Sequence, residues 1–145
     1  MSKNASMKDL ISQVINYLQS KDYIENAILF GSRANGKIHA MSDIDIGILT
    51  ERELDLLEIG EIVGDLEIIT NLKVDLLLLN NLYYSDPLLA FNIIQNHKEL
   101  FLNDIEKWNE YRVKTLLVYF DEKPILDKVN LAFKKRYAKD KESNE

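Results

Sequence analysis

Cysteine is absent from this chain. That excludes disulfides and thiolate metal sites, and it fits a reducing cytoplasm, where the protein is expected to reside. Long apolar runs are also missing. None approaches the ~20 residues of a membrane span, so no membrane association is expected. The N-terminus has no basic region followed by an apolar core, so no signal peptide is expected. Positive charge is in deficit: 18 basic against 24 acidic residues leave a net charge of −6. Such a balance repels phosphate backbones, which argues against stable nucleic-acid binding and favours protein or small-molecule partners. Neither Gly-x-x-x-x-Gly-Lys-Ser/Thr nor Gly-x-Gly-x-x-Gly occurs, which removes the P-loop and the dinucleotide fingerprint. No internal repeat is present.

What remains is an ordinary globular composition, 46% hydrophobic and 29% charged over 145 residues. That length suits one domain able to bury most of its apolar surface. The informative segment is Gly31-Ser32-Arg33-Ala34-Asn35-Gly36, a polar linker, then Ser42-Asp43-Ile44-Asp45. Apolar runs flank it, Ile24 to Phe30 before and Ile44 to Leu49 after. Residues i and i+2 of a strand project to one face, with Cα atoms roughly 6.5 Å apart. Two carboxylates held that way repel each other unless a cation lies between them. Hard oxygen ligands with open positions suit Mg²⁺, which commonly brings substrate phosphates with it. The Gly-Ser turn offers backbone N–H groups and a hydroxyl to those phosphates. A third carboxylate, Asp75, stands near the start of the apolar run Val74 to Leu79. Charge at three strand positions costs stability unless it has a use. Asp-x-Asp or Gly-Ser alone is an ordinary strand end or turn. Together, with ten residues between Ser32 and Asp43, they read as metal-assisted chemistry on a nucleoside triphosphate.

The remaining pattern predicts alternating short elements. Met7, Leu10, Ile11, Val14, Ile15 and Leu18 form a helical stripe, and Ser6 with Asp9 resembles a capping box. Strands are expected over 24–30, 43–49 and 74–79, the last with a near-continuous apolar run that implies burial on both faces. A short helix is expected over 34–37. A longer one is expected over 53–69, where Gly60 and Gly64 each cost about 1 kcal/mol against alanine and imply close packing on the sheet. Asp86-Pro87 opens another helix as N-cap and first helical residue. A short edge strand follows at 100–102, then helical patterns from Ile105 that Pro124 interrupts.

Gly31-Ser32, ten residues, then Asp43-x-Asp45 resembles the signature of the DNA polymerase β-like nucleotidyltransferase superfamily, and the small size resembles its minimal branch. The element order extends the resemblance over roughly residues 6–102. It implies an α/β (α+β) nucleotidyltransferase fold, a small mixed β-sheet flanked by helices. Residues 1–102 would form that domain and 103–145 a C-terminal helical extension packed on it. It implies two Mg²⁺ ions on Asp43, Asp45 and Asp75, with Asp75 also assisting deprotonation. ATP would be held by Gly31, Ser32, Arg33 and Lys37. Many members carry a basic residue where Asn35 stands; Arg33 and Lys37 are the nearby substitutes. Many members of the minimal branch are antitoxins paired with HEPN ribonuclease toxins, which implies transfer of AMP to a toxin tyrosine. Two alternatives stay open: a small-molecule nucleotidyltransferase, for which little chain is left to build an acceptor domain, and an antitoxin that masks its toxin without catalysis.

Other candidates carry less. Trp108, Tyr111, Tyr119, Phe120, Phe133 and Tyr137 suit either a packed helical hairpin or a partner-binding arm. The basic residues Lys134, Lys135, Arg136, Lys139 and Lys141 suit a solvated helix end. His39 reads as a loop residue and His97 as a helix C-cap. Tyr83 and Tyr84 read as loop packing, with base stacking as the sharper option.

Overall fold

The computed structural model describes residues 6–31 and 43–122. Ser32, Arg33, Asn35, Lys37, His39, the helix expected over 34–37, the final helix with Phe133 and Tyr137, and the basic cluster after it lie outside the described residues. The elements run α1 (Met7–Gln19), β1 (Ile24–Phe30), β2 (Ile44–Thr50), α2 (Leu56–Thr70), β3 (Val74–Leu78), α3 (Leu82–Ser85), α4 (Pro87–Gln95), β4 (Lys98–Leu102) and α5 (Ile105–Glu122). The four strands form one mixed sheet in the order β3-β2-β1-β4. β1 pairs antiparallel with β2 and with β4, while β2 and β3 are parallel and joined by α2. A parallel pair needs such a crossover, because a tight turn cannot return the chain to the same end.

Helices cover both faces. Alternation along β2 sends Ile44, Ile46 and Ile48 to one face, where they pack with Val14 and Leu18 of α1 and Ile62 and Leu66 of α2. The other face carries Ile28 and Leu49 against Leu82, Tyr83, Ala90, Ile93, Trp108 and Tyr111, from α3, α4 and α5. Gly47 lies on that second face. A Cβ there would meet Leu79 at 3.0 Å and Ile28 at 3.1 Å, so its lack of a side chain lets them close over the strand.

The caps explain the helix starts. Asp55 and Glu58 form a reciprocal capping box, so α2 begins at Leu56 rather than at the expected Glu53. The Asp86 side chain accepts from Leu89 N at 3.2 Å with Pro87 behind it, as the sequence implies. The Ser6 hydroxyl accepts from Asp9 N at 3.2 Å. Helix α5 is tied down at its start. Asp104 accepts from Lys107 N at 3.0 Å, and the Asn26 carboxamide bonds both backbone groups of Asp104, each at 3.0 Å. The Lys107 ammonium pairs with Glu25 and donates to the Thr50 carbonyl at 2.7 Å.

Two packing expectations need correction. β3 is an edge strand whose residues after Val74 are only partly buried or exposed, because it pairs with a single neighbour. Gly60 and Gly64 do not pack on the sheet: a Cβ at either position meets nothing within 4 Å. Tyr83 packs as expected, buried against Tyr111 at a ring separation of 5.6 Å, although it stands on the short helix α3 rather than in a loop. Among the described residues no helix is long and apolar enough to cross a membrane.

Candidate active site

The acidic residues come together through strand register. Asp45 is the second residue of β2 and pairs with Phe30 at the end of β1 and with Asp75 near the start of β3. Asp43 immediately precedes β2, two residues before Asp45. By alternation Asp45 lies on the face bearing Leu49 and Gly47, beneath α3, α4 and α5. Asp43 and Asp45 are half-buried, and Asp75 is exposed. All three therefore stand at one end of the sheet. The alignment of Asp45 with Asp75 needs parallel β2–β3 pairing, which the crossover through α2 supplies.

Gly31 closes β1 with φ +77°, a left-handed conformation that side chains other than glycine rarely adopt. A Cβ there would collide with the Asp45 carboxylate, its Cγ standing 3.2 Å from the Cβ position. The residue's first requirement is thus steric room beside Asp45. Ser32, Arg33 and Lys37 follow it directly in sequence but lie outside the described residues.

The donor set is all oxygen and half-buried, and the bare Gly31 backbone leaves space beside Asp45. Both features fit a hard divalent cation such as Mg²⁺. Among the described residues, however, no three carboxylate or imidazole side chains converge tightly enough to enclose a metal ion. The register aligns the Asp45 and Asp75 backbones, and a closed three-carboxylate cage is not formed among these side chains.

An open cleft of about 410 Å³ adjoins this end of the sheet. It is lined by Phe30 and Gly31 of the β1 end and by Leu89, Asn92, Ile93 and Asn96 of α4 and its C-cap. Gly31 is common to the cleft and to the Asp45 contact, so the two form one continuous site. The α4 residues carry no role in the motif reading; the one sequence signal is a pair of asparagines four apart on an otherwise apolar helix. His97 lies beyond the cleft. Its Nδ1 donates to the Ile93 carbonyl at 3.0 Å and its ring meets Trp108 edge-on, which makes it a helix cap.

The expected Asp-x-Asp thus stands at the start of β2, with Asp75 paired to Asp45 from β3 and the Gly31 turn ending β1 beside it. The Polymerase beta, Nucleotidyltransferase family matches residues 12–106, and the chain belongs to that family. Among curated proteins it is similar to the protein adenylyltransferase MntA of Aphanizomenon flos-aquae (strain 2012/KM1/D3). The two are 26% identical over 125 aligned positions, with 79% of this chain and 81% of that protein covered. Among solved structures, its fold is similar to a chain of a toxin–antitoxin complex with AMP-PNP. The TM-score is 0.65 at 22% identity, over 92% of this chain and 99% of that one. It is equally similar to a chain from a complex of a tri-AMPylated Shewanella oneidensis HEPN toxin with its MNT antitoxin, with TM-score 0.65, 21% identity and the same shares covered.

Proposed function

We propose that this nucleotidyltransferase transfers AMP from ATP to a tyrosine hydroxyl of a HEPN-class toxin and thereby acts as its cytoplasmic antitoxin. The observation that carries the reading is the pairing of Asp45 with Asp75 beside Gly31. The MntA relative, an adenylyltransferase, and the fold shared with an antitoxin bound to an AMPylated toxin support the same donor and acceptor.

In this reading Asp43, Asp45 and Asp75 hold Mg²⁺, as two ions. When bound, Mg²⁺ neutralises triphosphate charge and lowers the pKa of a coordinated hydroxyl. Gly31 leaves space for the triphosphate to approach the backbone. Ser32 donates to its oxygens, and Arg33 and Lys37 add positive charge. The acceptor oxygen attacks the α-phosphorus, the bond to the bridging oxygen breaks, and pyrophosphate leaves with that electron pair. The hydroxyl proton passes to Asp75. Helix α5 opens the C-terminal extension expected over 103–145, and it is fastened to the transferase domain through Asp104 and Lys107; the part after Glu122 lies outside the described residues.

The test mixes the protein with Mg²⁺, ATP labelled at the α-phosphate and the HEPN-type protein encoded beside it. Label should enter the partner and silence its ribonuclease activity. Silencing that persists with a non-hydrolysable ATP and leaves no label would instead establish masking by binding.

A further inference from the structure

We propose that the cleft between β1 and α4 is a purine subsite in which the Asn92 and Asn96 carboxamides read the edge of adenine. This deepens the AMP-transfer reading and rests on it, since it assigns the part of the nucleotide that the carboxylate motif does not address.

The cleft and the carboxylates share Gly31, so a nucleotide whose phosphates lie beside Asp45 has this cleft as adjoining space. A volume of about 410 Å³ lies within the ~300–1,000 Å³ range of small-ligand sites. Phe30, Leu89 and Ile93 give it apolar walls suited to the faces of a base. Asn92 and Asn96 are the polar side chains of the described lining. They lie one helical turn apart, about 6 Å along the axis. An exposed asparagine on a helix is ordinary, and a capping role is the usual explanation at its end. Here the cap uses backbone only, Asn96 N donating to the Asn92 carbonyl at 2.9 Å. Neither carboxamide has a hydrogen-bond partner among the described residues. Both remain open to a ligand.

A carboxamide presents an acceptor and a donor side by side. Adenine offers the complement, the N6 amino donor beside the N7 acceptor. Guanine offers two acceptors, O6 and N7, on the corresponding edge, which leaves the carboxamide oxygen opposed to another oxygen. The pair therefore selects ATP over GTP, while the triphosphate end is blind to the base.

The experiment measures binding by calorimetry in Mg²⁺ with three probes: AMP-PNP, GMP-PNP and inorganic tripolyphosphate. The proteins are the wild type, Asn92→Leu, Asn96→Leu and the double variant. The wild type should prefer AMP-PNP by roughly tenfold or more, and the double variant should lose that preference to within about twofold. Tripolyphosphate affinity should be equal in all four. Both positions are exposed, so melting temperatures should match; a double serine variant carries the same expectation should the leucine pair aggregate. A wild type that binds both nucleotides alike, or a double variant that keeps the preference, overturns the base subsite alone. A wild type that binds none of the three probes overturns the triphosphate site and this assignment with it.

Discussion

Replacing Gly31 by alanine tests the site at its tightest point. Two effects arise at once. The left-handed φ of +77° costs an alanine about 1–2 kcal/mol. For a domain of this size that lowers the melting temperature by roughly 4–8 °C. The new Cβ also collides with the Asp45 carboxylate. The carboxylate ends a short side chain and can rotate away from the new methyl. The cost falls on function, because a displacement of about 1 Å at a reacting centre loses on the order of a hundredfold in rate. Gly31→Ala should therefore fold, melt a few degrees early and transfer AMP about 100-fold more slowly. Label transfer and thermal melts measure the two effects separately. A double-mutant cycle isolates the cause. If alanine acts through Asp45, it should add almost nothing to the loss already present in Asp45→Asn. Transfer at the wild-type rate by Gly31→Ala, or fully additive losses in the cycle, would refute the reasoning.

Other expectations follow from the same geometry. Asp43→Asn and Asp45→Asn should keep the fold, with equal or raised melting temperature as carboxylate repulsion falls, and should lose on the order of a thousandfold in transfer. Gly60→Ala and Gly64→Ala should each stabilise by about 1 kcal/mol in denaturant titrations, because their Cβ atoms enter open space on a helix; destabilisation by either would restore the close-packing expectation. Burial, followed by the bond from the Tyr17 hydroxyl to Asp65 at 2.6 Å, raises the Tyr17 pKa above the free value, and burial does the same for Tyr111. Folding then favours the neutral phenols. Their stabilisation is complete below the unfolded pKa of about 10 and is lost as pH rises above it. Tyr17→Phe with Tyr111→Phe should flatten that alkaline loss of stability in melts followed by circular dichroism.

The legible part of this molecule is the part encoded locally. Gly31, Asp43 and Asp45 are close in sequence, and their placement around the ends of β1 and β2 is readable from residue type and spacing. Caps such as Asp86-Pro87 are equally local. Strand periodicity likewise separates Asp43 and Asp45 from Ile44 and Ile46 before any fold is known. What was hidden depends on neighbours. Whether Val74 to Leu78 lies inside or at an edge is decided by which strands flank it, and an apolar run alone does not record that. Gly60 and Gly64 looked like packing glycines because a helix does not declare which of its turns faces the sheet. The start of α2 at Leu56, three residues after Glu53, is set by the reciprocal Asp55–Glu58 capping box, which periodicity alone does not show. Asn92 and Asn96 carry no local signal, because their meaning comes from Phe30 and Gly31, some sixty residues away in sequence.

The central claim is covalent: a phosphodiester forms between this protein's nucleotide substrate and a partner hydroxyl, under control of the β2 carboxylates. Intact-mass spectrometry of the HEPN-type partner, after incubation with Mg²⁺, ATP and either wild type or Asp45→Asn, measures it directly. The partner should gain one or more adenylyl groups on tyrosine with the wild type and none with Asp45→Asn. An unmodified partner whose ribonuclease is nonetheless silenced by both proteins would contradict the account.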